Sequence, residues 1–263
     1  MRFFFSFTII GLFGLLCLKP LVGNAQSNRI SDYNTLGWFQ YDGDHKLGKR
    51  WTLHTEYQIH RVHFVRDWQQ RLARIGLAYQ VLPRVKVSTG YTSFITHPYG
   101  DYPTADMGMP FPERRLYEDV QLSDTVGRVI LTHRFRLEQR WLGQLLGDGS
   151  RTVQSWQFQN RIRYQLEATV PLQGRTLDDH EWFANAFDEL FIGFGREVGN
   201  NIFNQNRISA GLGFQVNDDF QVRLNYLYQI TQHGASDPAT GRPVFEFNNG
   251  IILGLSYNLT LIK

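Results

Sequence analysis

Every second residue of Arg134-Phe135-Arg136-Leu137-Glu138-Gln139-Arg140 is charged. In an extended chain, residues two apart share a face. Arg134, Arg136, Glu138 and Arg140 therefore form one row of three guanidiniums and a carboxylate. A row of this kind can pair with carboxylates on a neighbouring strand, or it can hold anions. The same parity argument collects Arg161, Arg163 and Glu167 downstream, then Arg207 and Arg223. Upstream it collects Glu56, Arg74 and Asp119. Glu189 is ambiguous, because Phe187 and Phe191 stand two residues to either side.

Other chemistry finds less support. Acyl hydrolysis needs a nucleophile, usually serine, with a base such as histidine held by a third group. His54, Glu56 and His60 share a strand face, Asp124 follows Ser123, and His97, His133, His180 and His233 are scattered. No spacing among them marks a nucleophile and its base, so no catalytic residue is assigned. Asp101 and Asp106, in a Gly/Pro-rich stretch, are better explained as turn formers than as calcium ligands. The single cysteine, Cys17, lies in the N-terminal segment, and no His-x-x-x-His run occurs. No metal or cofactor is expected.

These side chains need strands to carry them, and period-two alternation dominates the chain from residue 35 onward. Trp51, Leu53, Thr55, Tyr57 and Ile59 oppose Thr52, His54, Glu56, Gln58 and His60. Ala73 to Val81, Val85 to Tyr91, Ile208 to Phe214 and Phe220 to Tyr228 repeat the pattern. Eleven strands can be placed, near 35–41, 50–61, 69–81, 84–94, 114–122, 127–141, 154–169, 184–195, 204–216, 219–231 and 245–260. Short turns fall at Leu82-Pro83, around Ser123-Asp124 and at Asn217 to Asp219. Longer connections run over 96–113, 143–152 and 232–243, and 171–180 breaks the rule by being long on the short-turn side. The pattern predicts an all-β, antiparallel transmembrane barrel of 10–12 strands, with short periplasmic turns and longer extracellular loops. Bacterial single-chain barrels have even strand numbers, which favours twelve. The twelfth is sought near 27–34 or within 96–112.

Residues 1–25 have the layout of a cleaved export signal: Arg2, an apolar run from Phe3 to Leu18, and small residues ending at Ala25. Residues 26–263 then form one outer-membrane barrel domain. Cleavage removes Arg2 and Lys19 but no acid, which takes the formal charge from +3 to +1. Nothing in that balance points to nucleic acid. No apolar run of 18 residues follows Ala25, so no helical span is expected. Yet the chain holds 20 Phe, 12 Tyr, 6 Trp and 24 Gly. Trp38, Trp51, Trp68, Trp141, Trp156 and Trp182 lie near strand ends, where membrane-interface aromatics are expected.

The segments LTHRFRLEQRW (131–141), FQNRIRYQLE (158–167), FNQNRISAGLGF (203–214) and VRLNYLYQ (222–229) resemble an uncharacterised family of exported outer-membrane barrels. That family is known only as a domain of unknown function and carries a His-Arg-x-Arg-x-Glu-x-Arg strand. The resemblance implies an outer-membrane location and supplies no catalytic residue. Where the family has an Asn-Glu pair, this chain has Asp188-Glu189.

Charges this numerous cannot face lipid, since each would cost about 2–4 kcal/mol near the midplane. They must point inward, where buried charges need partners. The expectation is a lumen packed by an Arg–carboxylate network, with a structural or binding role. The alternatives are a narrow channel for small anionic solutes and a lipid-acting hydrolase. Expected partners are outer-membrane lipids, the barrel-assembly machinery and an unidentified partner of the outer loops.

Overall fold

The computed structural model describes residues 28–103, 108–199 and 201–261; the proposed export signal and Asp106 lie outside them. Eleven strands follow one another: β1 (Ile30–Lys46), β2 (Trp51–Val62), β3 (Asp67–Leu82), β4 (Val85–Thr96), β5 (Phe111–Val126), β6 (Val129–Leu145), β7 (Val153–Pro171), β8 (Glu181–Phe194), β9 (Phe203–Asn217), β10 (Phe220–Ser236) and β11 (Pro243–Tyr257). Each pairs antiparallel with the next, and β1 closes the barrel against β11.

That closure is parallel, running from Ile30↔Val244 to Asp42↔Ser256. It resolves the strand count at eleven instead of twelve. Residues 30–34 belong to β1 itself, where they pair with β11 before β2 begins at Leu36↔Val62. The described residues of 97–110 form no strand. A closed sheet of odd strand number must contain one parallel pair, and here both of its strands are long enough to form it.

The connections sort by end. One end carries 47–50, 83–84, 127–128, 172–180 and 218–219; the other carries 63–66, 97–110, 146–152, 195–202 and 237–242. Ile30 lies at the second end, with the longer connections, and Tyr257 at the first. The turn expected at Ser123-Asp124 sits instead at Gly127-Arg128. β5 runs on to Val126, which pairs with Val129, and Gly127 supplies the left-handed backbone (φ 67°) of the tight hairpin.

Alternation sorts the side chains as the pleat requires. On the outside, every strand exposes a large apolar residue: Phe39, Tyr57, Ile75, Tyr91, Leu116, Phe135, Ile162, Leu190, Ile208, Tyr226 and Leu255, in strand order. On the inside lie arginines, carboxylates, amides and a few aromatics. Inward glycines make room for some of those aromatics. Tyr117 lies over Gly76 and Gly90, and Phe183 over Gly213, where any Cβ would collide with the ring. No helix among the described residues is long and apolar enough to cross a membrane, which says nothing of a barrel.

Candidate functional site: the arginine wall of the barrel interior

The row on β6 meets partners on both sides. Asp119 of β5 stands opposite Arg136 and accepts both Nε and Nη2 at 2.6 Å. Glu138 is 1 % exposed and sits between two guanidiniums of β7. Its Oε2 accepts from Arg161 Nε and Nη2 at 2.8 and 2.6 Å, and its Oε1 from Arg163 Nη1 at 2.8 Å. Glu189 of β8 continues the chain of pairs, with Oε1 accepting from Arg163 Nη2 at 2.7 Å and from Arg134 Nη2 at 2.8 Å. Parity alone left Glu189 ambiguous; it points inward, and Phe187 and Phe191 point inward with it.

On the other side of Arg136, Glu56 of β2 pairs with Arg74 of β3, whose Nε also donates to Thr92 Oγ1 at 3.0 Å. Two members of the wall escaped parity reading. Glu113 bridges Arg115 and Arg140, accepting from their Nε atoms at 2.6 and 2.5 Å. Both Glu113 and Arg115 share the parity of Asp119, which was the available signal. It was masked because the outward residues Arg114 and Glu118 are charged too. Arg114 stacks outside on Trp156, 4.4 Å from its ring, and Glu118 accepts from Gln139.

Aromatic faces hold several guanidiniums flat. Arg136 lies 4.4 Å from the Tyr117 ring, Arg115 4.0 Å from Phe94, and Arg163 4.4 Å from Phe191. Arg207 of β9 lies between Trp38, at 4.7 Å, and Phe191, at 4.9 Å. Of the remaining expected residues, Arg223 lies towards the short-turn end and pairs with Asp42 at 2.8 Å. Glu167 lines the cavity there without an ion pair.

Trp38 is the clear correction. It was expected at a membrane interface, but it is 1 % exposed and lies inside the barrel. It shares parity with Asp32, Asn34, Gln40 and Asp42, so β1 turns its polar face and this one indole inward. The ring stacks on His60 at 4.0 Å and 9°, and its Nε1 donates to Gln69 Oε1 at 3.0 Å. With Leu36, Val62, Leu227 and Ile252 it forms an apolar cluster inside the barrel. The other five tryptophans face outward. Trp51 and Trp182 lie at the short-turn end; Trp68, Trp141 and Trp156 lie at the long-connection end.

The long connection after β4 folds into the mouth. Tyr99 packs against the apolar cluster and donates to Glu246 Oε2 at 2.9 Å. Burial and the Glu246 carboxylate push its phenol well above the ordinary value, so it stays a donor. Glu246 also accepts from Asn248 at 2.7 Å and contacts His233 Nε2 at 2.6 Å. Three histidines contact carboxylates: His233 with Glu246, His54 with Asp44 and Glu56, and the exposed His63 with Asp67. Among the described residues none of these three bonds to a serine or threonine hydroxyl, whereas His45 Nε2 meets Thr55 Oγ1 at 2.9 Å; no cluster of histidines and acids is placed to hold a metal ion.

The walls enclose a cavity of about 1250 Å³, reached by Asp101 and Asp237 at one end and by Lys86 and Glu167 at the other. The profile of the family described as Protein of unknown function (DUF2490) matches residues 35–240, most of the chain. The chain belongs to this family. The family match spans every strand of the arginine wall, from Glu56 on β2 to Arg207 on β9. No curated protein and no solved structure matches the chain.

Proposed function

We propose that this DUF2490 member is an integral outer-membrane β-barrel of a Gram-negative bacterium, and that it acts by binding within its charged interior and at its long connections. The contrast between the two faces of the sheet carries this reading. Every strand exposes apolar side chains outside, while carboxylates such as Glu138 and Glu113 are buried inside. A soluble monomer seldom exposes an apolar patch beyond a few hundred Å². A band that includes all eleven strands is explained by hydrocarbon as the outer solvent. Closure leaves no unpaired edge, as a bilayer demands. The outward tryptophans at the two ends would then sit in the two headgroup layers. Residues 1–25 direct export, the assembly machinery inserts the barrel, and the long connections face outward.

Cell fractionation tests the location. The protein should sediment with the outer membrane, resist extraction by carbonate, and migrate faster in a gel when unheated. Recovery in the soluble periplasmic fraction would sink the proposal. Leu116→Arg, near the middle of β5, should cost about 2–4 kcal/mol if that face meets lipid, measured by denaturant titration in vesicles.

A second reading, passage of small anions, is favoured by a cavity that is lined from both ends and rich in arginine. Planar-bilayer recording decides it. Anion-selective steps support passage, and a silent barrel at all voltages removes it.

A further inference from the structure

We propose that the interior holds a binding site for a small free oxyanion, a carboxylate or phosphate, centred on Arg207 with Arg163 beside it. The proposal deepens the binding role above and rests on that reading only for the ligand's route of access.

Within this network the arginines outnumber the carboxylates. Eight arginines, on β3, β5, β6, β7 and β9, face the five carboxylates Glu56, Glu113, Asp119, Glu138 and Glu189. Seven of the eight are paired with one of those carboxylates. Arg207 is the exception: among the described residues no carboxylate lies within 4.0 Å of it. Glu189, its cross-strand partner on β8, takes Arg134 and Arg163 on one oxygen. With its amide turned so that donors meet acceptors, Gln205 is the side-chain partner of Arg207, its oxygen accepting from Nε and, at 3.0 Å, from Nη2.

Arg207 is half-buried and faces the cavity, with Glu189 across the strands but no carboxylate within 4.0 Å, so it can still take a hydrogen-bonded counter-charge from the cavity. The geometry suits an oxyanion. The Trp38 and Phe191 rings lie 4.7 and 4.9 Å from the guanidinium carbon, so polar contact is left to the N–H groups turned away from them. A planar fork held at its edge is what carboxylate and phosphate oxygens match. Arg163 and Arg207 lie 4.4 and 4.9 Å from the same Phe191 ring, which brings a second guanidinium to this part of the cavity. Arg207 lines the 1250 Å³ cavity, which gives a ligand room. The sheet is closed, so a lipid headgroup has no lateral entry and a solute must arrive through an end.

The test uses the full-length protein, purified and folded in a nonionic detergent. Inorganic phosphate and acetate are titrated against chloride at constant ionic strength, and tryptophan emission and melting temperature are read. Phosphate or acetate should give a saturable emission change, because Trp38 stacks on Arg207, and a rise in melting temperature; chloride should give neither. Arg207→Gln should weaken binding about tenfold or more, the worth of one charged hydrogen bond. Arg207→Lys keeps the charge but loses the flat fork, so it should also weaken binding, and it serves if the Gln variant does not fold. Equal responses to phosphate and chloride, or unchanged affinity in both variants, overturn the site. A barrel that fractionates with the outer membrane yet ignores phosphate loses this site alone. A soluble protein that still binds phosphate loses the membrane reading alone.

Discussion

The wall made by β5 to β8 and the wall made by β9 to β11, β1 and β2 enclose the same space with opposite chemistry. The first is a lattice of ions. Asp119 faces Arg136 and Glu138 faces Arg161 directly across strands, while Arg136 faces Arg163, a like-charge pair that would repel if left alone. It is not left alone, because Arg136 turns to Asp119, and Arg163 spans Glu138 and Glu189. The second wall keeps its charges, such as the Arg223–Asp42 pair and Glu246, around an apolar centre. Leu36, Trp38, Val62, Leu227 and Ile252 pack together, flanked by the amides of Asn225, Gln229 and Asn248. One half of the interior is held by pairing and the other by exclusion of water. Arg207 sits where the two meet.

Glu138→Ala should have the largest effect. It strands Arg161 and leaves Arg163 with one partner, at a cost of about 3–5 kcal/mol. Denaturant titration in vesicles reads the loss. Changing Glu138, Arg161 and Arg163 together to Met should recover much of it, because the desolvation cost of the ions goes with their attraction. A triple variant as weak as the single one would mean that pairing is not what organises this wall. Leu227→Ala, in the apolar centre of the second wall, should cost about 2–5 kcal/mol through the cavity it leaves, and the charged partners should keep their hydrogen-exchange protection. Tyr99→Phe is the smallest change. It removes one hydrogen bond to Glu246, worth about 1 kcal/mol. Its effect should show as faster proteolysis within the connection after β4 before any change in global melting. A drop in melting temperature as large as that of Leu227→Ala would place the latch in the core and blur the distinction between the walls.

Much of this architecture is legible from alternation alone. All eleven strands are found where parity assigns them, though β1, β5, β6 and β10 run four or five residues further than read at one end or both; the β6 row points inward because lipid would not tolerate it. Three things escape. The first is closure: strand parity says nothing about whether the last pair is antiparallel, and the even-number rule misleads when β1 and β11 are both long. The second is aromatic placement. Trp38 has the inward parity of β1, whereas Trp68, which has the inward parity of β3, is turned outward by the bulge at Gln69. The third is mixed strands. β5 carries charge on both faces, so Glu113 and Arg115 could not be told from Arg114 and Glu118 without knowing that Trp156 cushions one face. The cavity and the inward fold of Tyr99 depend on contacts between strands far apart in sequence, which no local pattern encodes.

The parallel seam has a further consequence for how the molecule is put together. Every other pairing joins strands that a turn already holds close. The β1–β11 seam joins segments at opposite extremes of the described chain, so its loop-closure entropy is the largest in the barrel. It is therefore the natural last step of assembly, and until it forms, the sheet has two open edges. In the proposed orientation Ile30 ends outside while Tyr257 remains on the periplasmic side, so the segment leading into β1 crosses the bilayer as the outer loops do. A reporter fused near Asn28 and one fused near Asn258 should thus face different compartments. Joining the two ends of the chain would require a linker as long as the barrel is tall, not a tight hairpin.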